Sequence, residues 1–290
     1  MHLTETTRAN RVSLLKFLLA ERQLLKGIAG IAETRWPVIE TVIEAANQAG
    51  QPMAIDITAE PAIVKSARAR THLPLFASAV TAEALVQAAL AGADALELGN
   101  YDALYEAGEF IDAVDVLTAS RELLFQLKRL GLYGRVLTCV TIPGHLALDS
   151  QVNLALALEA MGVDMLQSEG AVRQLTADAD MPKAAPLTAT EKVASSLRAV
   201  RTLAAAVRIP VMAASGFEAK TAQSALEAGA SAVGVGRSWR LLGEADVMAA
   251  SARDMLCALR TATMPALCAT MPKCDAVKAD SAVLKTLTAA

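Results

Sequence analysis

The 290-residue chain carries 27 Lys and Arg against 30 Asp and Glu, is 54% hydrophobic and 20% charged, and is only 3% aromatic. That balance excludes a disordered chain, and a net charge of −3 without any cluster of Lys or Arg excludes an electrostatic footprint for nucleic acid or an anionic membrane. Alanine makes up about a fifth of the residues, so the apolar content comes from a small helix former and predicts closely packed helices.

At the N-terminus, Arg8, Arg11 and Lys16 flank or interrupt a short apolar run at 14–20, and Glu21 and Arg22 follow it. This fits a helix and not a secretion signal. Charge-free stretches such as 261–272 fall short of the ~20 residues of a membrane span. Cys139, Cys257, Cys268 and Cys274 are too unevenly placed for a disulfide framework or a CxxC metal site, so a cytoplasmic protein with no metal centre is expected.

Short runs of Val, Ile, Leu and Ala then recur at 24–30, 53–58, 75–80, 95–99, 136–142, 165–168, 211–214 and 232–236, each followed by polar or Gly residues and a helical pattern. Pro37 suits the first turn of a helix over Trp36–Ala49, and Thr81 caps another over Ala82–Ala91. A near-repeat links three of the strands: Ala91-Gly92-Ala93-Asp94, Met161-Gly162-Val163-Asp164 and Ala228-Gly229-Ala230-Ser231 each stand before a buried strand. In each, glycine ends the helix and a polar residue turns the chain.

Eight such units predict an α/β fold of the (β/α)8 TIM-barrel kind; a doubly wound sheet is disfavoured because no G-x-G-x-x-G follows the first strand. Residues 1–21 form the N-terminal helix covering the barrel bottom, 22–260 the barrel, and 261–290 a C-terminal tail without a motif. Two connections, from Asn100 to about Ile111 and from Gly170 to about Thr188, are long enough to be functional loops.

In such a barrel the reacting groups sit at the C-terminal ends of strands. The polar residues there are Lys26, Asp56, Ser78, Glu97, Asn100, Cys139, Thr141, His145, Gln167, Glu169, Ser215 and Arg237. Ser215-Gly216 after the seventh strand, and Gly234, Gly236 and Arg237 at the eighth, resemble the shared phosphate-binding site of aldolase-type barrels, where backbone N–H groups and a helix start meet an anion. Tight strand packing is the other reading of those glycines.

Lys26, buried among Leu24, Leu25, Gly27 and Ile28, needs a partner, and Asp56 on the next strand is its natural counter-charge. A lumen lysine serves as acid, base, imine-forming nucleophile or phosphate ligand, or simply as half of a structural ion pair. Glu97, left unpaired between Leu96 and Leu98, would have a raised pKa and act as acid or base. Glu169 is a candidate ligand for substrate hydroxyls, His145 an acid–base candidate or a surface residue, and Cys139 a buried, inert thiol.

The segments Leu25-Lys26-Gly27-Ile28-Ala29-Gly30, Ala54-Ile55-Asp56-Ile57-Thr58, Gly99-Asn100-Tyr101-Asp102, Thr141-Ile142-Pro143-Gly144-His145 and Gln167-Ser168-Glu169-Gly170 together resemble one family. It is the hypothetical chloroplast reading frame twenty-three family of algal plastids, cyanobacteria and other bacteria, and the resemblance spans roughly residues 22–245. It implies an aldolase-type barrel and no particular reaction. The expected function is an enzyme acting on a small phosphorylated metabolite by acid–base or carbon–carbon lyase or isomerase chemistry. The catalytic candidates are Lys26, Asp56, Glu97, Glu169 and His145. The alternatives are a barrel that binds a metabolite or protein without catalysis, and a flavin-dependent oxidoreductase; the sequence demands no cofactor. Exposed helices of an alanine-rich barrel also suit a homo-oligomer.

Overall fold

The computed structural model describes residues 7–99, 101, 104–105, 108–170 and 188–263. In chain order the elements are α1 (Arg8–Ala20), β1 (Leu24–Ile28), α2 (Trp36–Ala49), β2 (Met53–Thr58), α3 (Pro61–Arg68), β3 (Leu75–Ala79), α4 (Ala82–Ala91), β4 (Ala95–Leu98) and α5 (Ala113–Arg129). They continue with β5 (Leu137–Ile142), α6 (Leu148–Met161), β6 (Met165–Ser168), α7 (Ala189–Ala206), β7 (Val211–Ala213), α8 (Ala219–Glu227), β8 (Ala232–Val235), α9 (Arg237–Arg240) and α10 (Ala245–Thr263). The strands pair in parallel in chain order and close, β8 against β1, into an eight-stranded barrel. All their residues are buried, as strands covered on both faces must be.

The repeated Gly-x-Asp/Ser unit has a mechanical role. Gly92, Gly162 and Gly229 take φ of +123°, +92° and +108°, which end their helices in a conformation that costs an L side chain energy. Two residues on, the backbone N–H of Asp94, Asp164 and Ser231 donates to Leu75, Thr138 and Val211 on the preceding strand, at 2.8, 3.2 and 2.8 Å. The carboxylates of Asp94 and Asp164 also accept the Leu75 and Thr138 N–H groups, at 3.0 and 2.8 Å. Each copy therefore pins the register of β3, β5 or β7 from below.

Helix α1 closes the N-terminal end of the lumen. Its Leu15, Leu18 and Leu19 pack on a floor to which every strand contributes: Leu24, Ala54, Phe76, Ala95, Leu137, Met165, Met212 and Ala232. Arg11 fastens the helix to the fully buried Asp94 at 2.9 Å, and Arg68 of α3 meets the same carboxylate at 2.8 Å. Helix α10 runs to Thr263, three residues past the expected barrel boundary; the rest of the expected tail, with Cys268 and Cys274, lies outside the described residues. Among the described residues no helix is long and apolar enough to cross a membrane.

Gly27 faces away from the lumen onto Trp239, whose indole N–H donates to the Met248 carbonyl at 2.7 Å. A Cβ at Gly27 would come within 2.5 Å of the indole ring. Gly27→Ala is therefore expected to destabilise the fold by about 1–3 kcal/mol through overpacking, read as a lower midpoint in chemical denaturation. An unchanged midpoint would show that Trp239 moves freely.

Candidate active site

Side chains on a strand alternate between its two faces, so the residues two positions above the floor also face the lumen. On β1 to β4 and β6 that residue is polar, Lys26, Asp56, Ser78, Glu97 and Gln167, and on β5 Thr141, four positions above the floor residue Leu137 and level with Gln167 in the ladder, joins them; all six are buried. On β7 and β8 the equivalent positions are Ala214 and Gly234. The lumen thus carries a polar arc over β1 to β6 and a small, apolar wall over β7 and β8.

The arc is a connected network. Lys26 Nζ donates to Asp56 Oδ2 at 3.0 Å and to Glu97 Oε2. It also sits 5.0 Å from the centre of the Phe76 ring on the floor. Ser78 Oγ donates to the second Asp56 oxygen at 2.5 Å. Glu97 Oε1 accepts from Thr141 Oγ1 at 3.0 Å and from Gln167 Nε2 at 2.6 Å.

Burial alone would drive proton loss from Lys26, but the charges of Asp56 and Glu97 outweigh it and hold the ammonium above the ordinary lysine range. Glu97 is pushed up to about 7, because burial and the Asp56 charge together exceed the stabilisation by Lys26 and Thr141. Cys139, buried between floor and arc, has its thiol pushed up, chiefly by burial.

Three of the residues singled out from the sequence therefore come together. The Lys26–Asp56 pair is present. Glu97 is a direct partner of Lys26, and its pKa is raised even so.

Glu169 lies two residues above Gln167, where its carboxylate accepts from Tyr105 Oη and the Gly144 N–H, both at 2.9 Å. His145 packs edge-on against Tyr105 and Phe110, with ring centres 5.5 and 5.4 Å away, and burial lowers its pKa. These two line the rim, above the Lys26–Glu97 pair. Asn100 lies outside the described residues.

Ser215 and Gly216 adopt consecutive left-handed conformations, φ +82° and +80°, that turn the chain sharply after β7. Gly236 caps α9, with Arg237 exposed at its first position. Gly234 sits inside β8, and a Cβ there would approach Ile28 Cδ1 to 3.1 Å, so its smallness serves packing. Sequence reasoning passed over Arg240, one helical turn beyond Gly236. Its Nη1 donates to the Ile28 carbonyl at 2.8 Å and lies 3.7 Å from where a Gly236 Cβ would stand. It is the arginine of α9 that leans over the ends of β1 and β8; the i+4 spacing from Gly236 was the available signal.

Among the described residues no group of three or more His, Cys, Asp or Glu is placed to hold a metal ion. A surface cavity of about 640 Å³ between α4 and α5, lined by Val80, Leu98, Tyr101 and Phe125, includes no member of the polar arc.

A family model described as "Protein of unknown function (DUF561)" matches residues 10–264. The "Uncharacterized protein ycf23" of Pyropia yezoensis is 31% identical over 215 residues, covering 74% of each chain. Among solved structures, the thiamine phosphate pyrophosphorylase of Pyrococcus furiosus superposes with a TM-score of 0.52 at 18% identity, covering 84% of this chain and 98% of that one. The YdjI aldolase of Escherichia coli K12 does so with a TM-score of 0.56 at 13% identity, covering 86% and 95%. At these identities the structural likeness establishes the aldolase-type barrel and nothing finer.

Proposed function

We propose a function from the premise that this chain belongs to the DUF561 family and is a relative of the ycf23 proteins: it is an enzyme that moves a proton beside the carbonyl of a small phosphorylated metabolite, as an isomerase or lyase. The observation that carries this reading is the buried Lys26 ammonium held between the carboxylates of Asp56 and Glu97, where burial and the Asp56 charge raise the Glu97 pKa. A carboxylate poised at neutrality suits a general base, and a permanently protonated ammonium suits an oxyanion partner more than an imine-forming amine.

In the proposed step Glu97 takes the proton from the carbon beside the carbonyl. The C–H electron pair becomes the enolate double bond, and the charge arriving on oxygen is met by the Lys26 N–H groups. In an isomerisation the hydroxyl on that carbon gives its proton to the former carbonyl oxygen and becomes the new carbonyl, while Glu97 returns its proton to the former carbonyl carbon. In the lyase variant Glu97 instead takes the proton of a hydroxyl one carbon further on, that carbon becomes a carbonyl, and the electron pair of the broken carbon–carbon bond forms the enolate that Lys26 meets. Thr141 and Gln167 orient Glu97, and Asp56, fixed by Ser78, holds Lys26. The phosphate anchor would be Ser215, Gly216 and Gly236, with Arg237 or Arg240 supplying charge, at the place where barrels of this type commonly bind phosphate.

A non-catalytic binding barrel is the second reading. It draws on the completeness with which Lys26, Asp56 and Glu97 are buried and mutually paired.

The test follows dihydroxyacetone phosphate and other phosphorylated ketones and aldehydes in D2O by proton NMR, with phosphate binding followed in parallel. Protein-dependent loss of the C–H signal beside the carbonyl is expected. Binding without exchange across the series would establish the binding barrel. Borohydride added to the same mixtures is expected to leave Lys26 unmodified, and a reduced adduct at Lys26 in the mass spectrum would overturn its role as a charged donor.

A further inference from the structure

One atom of the polar arc has no hydrogen-bond partner among the described residues. Gln167 directs both amide hydrogens to one side, to Glu97 Oε1 at 2.6 Å and to Thr141 Oγ1 at 3.2 Å. The Thr141 hydroxyl has already committed its own proton to Glu97. The amide cannot turn over, because its oxygen would then face the Glu97 carboxylate. Gln167 Oε1 is thereby fixed as an acceptor, and it is buried with no hydrogen-bond partner among the described residues.

The side chain is 97% buried, and nothing next along the lumen wall can answer it: Met212, Ala214, Ala232 and Gly234 of β7 and β8 bring no side-chain donor. A buried acceptor held unsatisfied is unfavourable, and where it persists in a site it marks the place of a ligand's donor.

Resting on the reading of this barrel as a phosphorylated-carbonyl enzyme, we propose that Gln167 Oε1 accepts a hydrogen bond from a hydroxyl on the carbon next to the substrate carbonyl. The substrate class is thereby a phosphorylated hydroxy-carbonyl compound, a sugar phosphate in the broad sense, and not a deoxy ketone or a keto acid. The placement is consistent with the rest of the wall. A ligand with its phosphate at Ser215 and Gly216 runs down the small, apolar face of β7 and β8 and meets Gln167 on the neighbouring strand before it reaches Glu97 and Lys26. Gln167 then has two duties, orienting the base through its nitrogen and selecting the substrate through its oxygen.

The test compares two probes that share carbonyl and phosphate and differ by one hydroxyl: dihydroxyacetone phosphate and hydroxyacetone phosphate. Each is titrated calorimetrically into the full chain and into Gln167→Met, with inorganic phosphate as a third probe. The wild-type protein is expected to prefer the hydroxylated ketone by about 10-fold or more, as sites built around a substrate hydroxyl do. In Gln167→Met that preference should fall to near unity. Because the preference is a ratio within each protein, partial loss of folding in the variant lowers both affinities without restoring or abolishing it.

Equal binding of the two ketones by the wild type overturns the assignment of the hydroxyl while leaving the phosphorylated-carbonyl reading intact, and marks Gln167 Oε1 as a water site. A preference that survives in Gln167→Met moves the selection to another residue and likewise overturns the proposal. Binding of phosphate with neither ketone overturns the hydroxy-carbonyl class alone. Failure of all three to bind defeats the phosphorylated-carbonyl reading, and this proposal falls with it.

Discussion

A Lys26→Met protein is expected to lose about 3–5 kcal/mol of stability near pH 8, since removing one member of a buried ion group leaves uncompensated charge behind. Here two carboxylates, Asp56 and Glu97, face the vacated position, and both are buried. Methionine matches the length of the lysine stem, so packing over Phe76 is largely retained and the loss reports charge. The deficit should shrink on acidification. Without the cation the folded-state carboxylates hold their protons more tightly than in the unfolded chain, so falling pH favours the folded variant. Urea denaturation at pH 8 and pH 5 measures both numbers. A midpoint equal to the wild type at pH 8, or a deficit that widens toward pH 5, would contradict the proposed electrostatics.

Glu97→Gln is expected to slow proton exchange into a phosphorylated ketone by about 10²–10⁴-fold, the range attributed to a positioned general base. The amide keeps the shape and can still accept from Thr141, so binding of inorganic phosphate should be unchanged. In the wild type the exchange rate should rise as pH climbs through about 7, where Glu97 becomes a base, and this rise should vanish in the variant. The stability profile has the opposite sign. With the folded pKa near 7 and an ordinary value of 4.5, the folded state holds a proton that the unfolded state releases between those limits. The Glu97 contribution is therefore fully present below pH 4.5 and is lost as pH rises to 7. Wild-type exchange rates in Glu97→Gln would falsify the assignment of the base.

Both effects arise in a layer that the linear sequence shows unevenly. Lys26, Asp56 and Glu97 stand out because a charge inside an apolar run has few structural explanations, and the repeated Gly-x-Asp units place their strands correctly. Ser78, Thr141 and Gln167 are uncharged and ordinary in strands. Their membership of the network depends on which strand faces them across the closed barrel, and local spacing does not carry that information. The pairing of Glu97 with Lys26 is hidden for the same reason: the two lie 71 positions apart in the chain, on strands that do not adjoin. Arg237 drew attention by adjacency to Gly236, whereas helical geometry brings Arg240 back over the strand ends. Gly234 lies within β8, inside the apolar run at 232–236, and its place in the β8–β1 ladder favours the packing reading of that glycine.

The stopper formed by α1 gives the chemistry above it an asymmetric surrounding. Leu15, Leu18 and Leu19 seal a floor that lies one side-chain layer beneath Lys26 and Glu97. Among the described residues the base of the lumen is thus closed by apolar side chains, and the polar arc is insulated from below. The neutral-range titration of Glu97 depends on that insulation, because water admitted from below would let the carboxylate settle toward its ordinary acidity. A helix outside the polar arc thereby helps to keep the Glu97 pKa raised.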